Sequence, residues 1–117
     1  MFLFVDAFTR CKSLNKGRCY ASSGGDEGLF NRLYGYIGED IKDPSTGAKY
    51  GYSGSGHYGS AANNLAIGRV SLNQGAGCDK DGMFDYAGGE HPKHRTTFAV
   101  VVKLEGGGYF CASNENL

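Results

Sequence analysis

The chain has 117 residues, enough for one domain that buries roughly 65% of the surface its unfolded form exposes. Glycine supplies 20 residues and proline 2, so long turns and loops are expected in place of a low-complexity repeat. Lys+Arg and Asp+Glu number 12 each, and this zero net charge without runs of either sign argues against nucleic acid or an anionic membrane surface as the partner.

Apolar groups at Phe4, Ala7, Phe8, Cys11 and Leu14 recur with a period near 3.6, which predicts an amphipathic helix over residues 2 to about 16. Asp6, Arg10, Lys12 and Asn15 form its polar face, and Asn15-Lys16-Gly17 is its stop signal. A shorter helix is expected from Asp26 to about Tyr36, capped by Ser23 or Asp26, with Leu29, Phe30, Leu33 and Tyr34 on one face. Asp43-Pro44-Ser45-Thr46-Gly47 reads as a turn, because proline fixes φ and glycine tolerates the left-handed region. Lys49-Tyr-Gly-Tyr52 then gives a first strand, residues 53–64 a loop, 65–72 a second strand and 74–94 another loop. Residues 96–105 and 109–113, rich in β-branched and aromatic side chains, flank Gly106-Gly107-Gly108 and predict a closing hairpin. The fold class is therefore α+β: an N-terminal amphipathic helix on a small antiparallel sheet of three to four strands with long glycine-rich loops.

Four cysteines, Cys11, Cys19, Cys78 and Cys111, fit two disulfides in an oxidising compartment. Of the three connectivities, Cys11–Cys19 with Cys78–Cys111 is favoured, the second holding the loop at 79–95 against the sheet. Zinc is disfavoured, since no Cys-x-x-Cys pair occurs and the histidines do not fall at finger spacing. No apolar run approaches the ~18 residues of a membrane span, and Met1-Phe-Leu-Phe-Val5 is too short for a signal peptide, so an export signal or anchor is expected upstream of Met1.

Four segments resemble the soluble part of type IV pilins and type II secretion pseudopilins. They are Asn15-Lys-Gly-Arg-Cys-Tyr-Ala-Ser22, Leu33-Tyr-Gly-Tyr-Ile-Gly38, Lys42-Asp-Pro-Ser-Thr-Gly-Ala-Lys-Tyr-Gly-Tyr52 and Leu104-Glu-Gly-Gly-Gly-Tyr-Phe-Cys-Ala-Ser113, together 35 of the 117 residues. Two departures stand out: Cys19 occupies a place near the usual tyrosine-proline, and Ala112-Ser113-Asn114 replaces the usual acidic close. The resemblance implies a non-enzymatic structural subunit of one domain over residues 1–117, whose hydrophobic anchor helix lies outside the sequence. It implies copies of itself or other pilins as partners, a surface or secreted-protein ligand, anchorage in the inner membrane before assembly, and an extracellular or cell-surface location afterwards.

Asp79, Asp81 and Asp85, with Gly82 between them and Glu90 at position 12, resemble the start of a calcium loop, and some pseudopilins are similar in binding calcium near their C-terminus. The full pattern is absent, since Met83 stands at position 5, and a solvated acidic turn is the competing reading. A secreted nuclease using His57, Glu90, His91, His94 and Arg95 is a second function class, although neighbouring residues in a proline-containing loop point in different directions. A third is a carbohydrate- or protein-binding module using some of the tyrosines at 20, 34, 36, 50, 52, 58, 86 and 109, most of which read as half-buried packing residues.

Overall fold

The computed structural model describes residues 2–16, 19, 25–38, 41–43, 47–54, 57–86, 97–104 and 106–114. The chain forms α1 (Phe2–Leu14), α2 (Gly25–Ile37), β1 (Gly51–Tyr52), a 3-10 helix (Gly59–Asn64), β2 (Arg69–Gln74), β3 (Ala76–Asp79), β4 (Gly82–Asp85), β5 (Phe98–Lys103) and β6 (Tyr109–Ser113). The α+β class holds, with two helices, a four-stranded sheet and a two-stranded one.

α1 forms where the apolar period places it. Phe4, Val5, Ala7, Phe8 and Cys11 are buried, whereas Leu14, expected on the same stripe, is 70% exposed because the helix ends there. Asn15 closes that end: its backbone N–H and its side-chain amide both donate to the Cys11 carbonyl, satisfying a group the last turn leaves open. α2 buries Leu29, Phe30 and Leu33. Its expected caps, Ser23 and the Asp26 side chain, lie outside what is described.

The larger sheet has the order β1-β2-β5-β6. β2, β5 and β6 are antiparallel, but β1 pairs with β2 in parallel, Gly51 opposite Arg69 and Tyr52 opposite Val70, which corrects the expected all-antiparallel sheet. Parallel neighbours need a crossover, and the segment expected to be plain loop supplies it, including the 3-10 helix.

Strand alternation splits β5 between two cores. Phe98, Val100 and Val102 face the helices, joining Phe4, Phe8, Leu29, Phe30, Leu33, Val70 and Leu72. Ala99 and Val101 face the other way and pack with Ala62, Leu65, Ala76 and Met83. β5 is therefore buried on both faces, which is why its sequence reads as a continuous apolar run.

The second core exists because residues 74–94, expected to be loop, contain the β3–β4 hairpin, with Cys78 opposite Met83 and Asp79 opposite Gly82. Tyr109 of β6 lies against Gly82, where an added Cβ would meet its ring at 3.2 Å, and Gly82 has a φ of 114°. A side chain is excluded there both by the backbone and by the ring.

Candidate functional site

Both disulfides form as favoured, and no cysteine is free. Cys11–Cys19 draws the chain after α1 back onto the buried face of that helix, with both residues at most 1% exposed. Cys78–Cys111 joins β3 to β6 and so clamps the β3–β4 hairpin to the second face of the sheet. The bond holds a strand of that hairpin, while residues 87–95 of the expected loop lie outside the described residues. Two disulfides are compatible with an extracellular or secreted protein. Among the described residues no helix is long and apolar enough to cross a membrane.

The calcium residues are not brought together. The Asp79 carboxylate accepts the Asp81 backbone N–H at 2.8 Å, closing the hairpin turn on itself. Asp85 pairs with Ala76 while Asp79 pairs with Gly82, so Asp85 stands three residues down the hairpin, roughly 10 Å away. Among the described residues no three His, Cys, Asp or Glu side chains form a metal-holding group, and Glu90 lies outside the described residues. The three carboxylates are exposed on the turn and strand ends.

Of the nuclease set, His57 is described, and Glu90, His91, His94 and Arg95 are not. The His57 ring lies 3.5 Å from the Ala61 carbonyl and 3.3 Å from that of Ser53, pinning the crossover to the 3-10 helix.

The tyrosines are largely packing residues. Tyr34 meets Phe4 and Phe30 edge-on at 5.1 and 4.9 Å and donates its hydroxyl toward the Ile41 and Tyr50 carbonyls. Tyr36 accepts a hydrogen bond from the Asn15 amide at 3.0 Å, which favours the phenolate and, with help from Arg32, holds its pKa below the usual 10.0. Tyr50 is pushed the other way, first by burial and then by the negative charge of Asp43. Tyr20 lies outside the described residues.

A cavity of about 290 Å³ opens at the β1 edge of the sheet, lined by Asp43, Ala48, Lys49, Gly51, Ile67, Gly68 and Arg69. Its residues come from three segments. The turn after α2 buries Asp43, whose backbone N–H donates to the Ala48 carbonyl and whose own carbonyl accepts from Gly47. Its carboxylate points at Gly68, where an added Cβ would come within 3.3 Å of Oδ2. Arg69 lies across Gly51, its Nη1 donating to the Tyr52 carbonyl at 3.3 Å; an added Cβ on Gly51 would approach Nη1 to 2.7 Å. Among the described residues the Arg69 guanidinium has no carboxylate partner, so its remaining donors face solvent at the mouth of the cavity. Chemically the cavity presents a fork of N–H donors suited to a carboxylate, beside an exposed Ile67.

Nothing in the residue pattern marked this cavity, since Asp43, Gly51 and Arg69 share no motif. The signal present was the Asp43 turn followed by an aromatic strand. No family model matches the chain, and comparison with curated proteins and with solved structures gives no match.

Proposed function

We propose that this chain is the globular domain of a pilin-like structural subunit, of an extracellular type IV pilus or a type II secretion pseudopilus, and not an enzyme. The observation that carries the reading is the seating of α1: the first element of the chain lays its buried stripe across β5 and β6, and β6 is covalently tied to the hairpin on the opposite face. An apolar helix preceding Met1 would continue along the α1 axis. Force on that helix would enter the sheet at Phe8 and Phe98 and spread into strands clamped by Cys78–Cys111. The fold order helix, sheet, disulfide-closed terminus matches the order of the four resembling segments, which supports the same reading.

In this role the domain acts mechanically. It contributes a rigid body that neighbouring subunits touch, and its membrane anchor holds it before assembly. The test is to raise antiserum against the chain, shear cells that express the gene with its native upstream sequence, and examine the released material by immunogold microscopy. Labelled filaments in the sheared fraction are expected. Recovery of the protein solely as free monomer in the medium would overturn the reading.

A further inference from the structure

The Arg69 cavity and the β3–β4 turn lie at one end of the sheet, the cavity at the β1 edge and the turn on the second face against Tyr109 of β6. Ile67, beside the cavity, bridges Lys103 at the end of β5, and Tyr109, which opens β6, donates its hydroxyl toward the Lys80 carbonyl in the turn at 3.4 Å. The charges of turn and cavity are complementary. The turn exposes Asp79, Asp81 and Asp85 around the single cation Lys80. The cavity presents Arg69, exposed and without an acidic partner among the described residues, while the other two charged lining residues are engaged, Lys49 with its ammonium 4.2 Å over the Tyr34 ring and Asp43 buried with its carboxylate toward Gly68.

We propose that the Arg69 cavity of one copy of this chain receives the acidic β3–β4 turn of a second copy. Arg69 offers its N–H groups to a carboxylate of Asp79 or Asp81, which the hairpin exposes at its turn. Turn and cavity are different patches of one molecule, so the contact joins unlike surfaces of the two copies. The inference rests on the proposed multi-copy assembly, for which it names the contacting residues.

Sedimentation equilibrium of the 117-residue chain tests it. At low ionic strength the wild type is expected to self-associate, and high salt to reverse this. Arg69→Glu, or Asp79→Lys with Asp81→Lys, is expected to lower the association constant about tenfold, and an equimolar mixture of the two variants to restore it, since each supplies the partner the other lacks. All three positions are exposed, and a melting curve verifies that each variant folds. Gly51→Ala, which displaces the guanidinium without altering charge, is expected to weaken association as well. A wild type that stays monomeric at low ionic strength, or association that neither reversal weakens, overturns the contact. Sheared filaments that persist undiminished with both reversals would overturn the contact while leaving the subunit reading in place; a wild type without filaments removes the subunit reading, and the sedimentation result then judges the contact by itself.

Discussion

Phe8 of α1 stacks on Phe98 of β5 with ring centroids 4.3 Å apart and planes within 16° of parallel. The pair joins the first helix to the first residue of the central strand, and Lys12 covers the outer side of Phe8 with its ammonium 5.3 Å from the ring centroid. The stack ties together residues ninety positions apart in the sequence.

Phe8→Ala is expected to destabilise the fold by about 3–5 kcal/mol, since both rings are at most 1% exposed and the removed volume leaves a cavity that neighbours cannot fill. Phe8→Leu keeps most of that volume and costs less. Urea unfolding followed by tyrosine fluorescence measures both. Equal losses for Ala and Leu would show that packing is not the main term.

The two disulfides differ in access. Cys11 and Cys19 are buried, whereas Cys78 and Cys111 are half-buried. Titration with a reductant followed by alkylation and mass spectrometry is expected to find Cys78 and Cys111 modified first. Removing that bond as a Cys78→Ser, Cys111→Ser pair costs up to about 3.8 kcal/mol on chain-entropy grounds for a loop spanning 33 residues of separation, and the shorter Cys11–Cys19 loop up to about 2.6.

Ser71 has a hydroxyl with no hydrogen-bond partner among the described residues, fully buried on the face of β2 opposite the helices. Ser71→Ala deletes the unsatisfied group at small loss of volume and is expected to raise stability by about 1 kcal/mol. A fall of similar size in the urea midpoint would mean that the hydroxyl is satisfied in solution.

Alkaline pH acts on Tyr50 and Tyr36 with opposite signs. Tyr50 holds its proton more tightly when folded, so its contribution is fully present below the unfolded pKa of about 10 and is lost as pH rises through the raised folded value. Tyr36 ionises more readily when folded, so it adds stability as pH rises toward 10. Tyr50→Phe is therefore expected to flatten the loss of stability above pH about 10, and Tyr36→Phe to remove the gain that accrues as pH approaches 10 from below, when urea midpoints are compared across the alkaline range. Parallel curves for wild type and Tyr50→Phe would exclude Tyr50 as a contributor.

Elements whose own residues carry a period were legible in the sequence. α1 shows it in Phe4, Ala7, Phe8 and Cys11, and β5 in the apolar run that follows Thr97. The β3–β4 hairpin was not, because Ala76, Gly77, Gly82 and the polar Asp79 and Asp85 have no strand propensity; burial against β5 and the bond from Cys78 hold them in place. The parallel pairing of β1 was hidden for a similar reason, since a two-residue strand takes its direction from its neighbour β2. The disulfide pairing was one favoured connectivity of three until the fold brought Cys78 of β3 beside Cys111 of β6, and the cavity arises where the Asp43 turn, Gly51 and Arg69 are folded together, a relation no local pattern encodes.

β5 has a hydrogen-bonded strand on each side and a core on each face. Its amide protons can exchange with solvent only when both cores open, so Val100 and Val101 are the positions whose exchange reports global unfolding. The β3–β4 hairpin is attached through one core and one covalent bond, so reduction of Cys78–Cys111 leaves the smaller core alone to hold it while the helix-side core is untouched. In such an arrangement the reduced protein is expected to exchange the amides of β3 and β4 before those of β5.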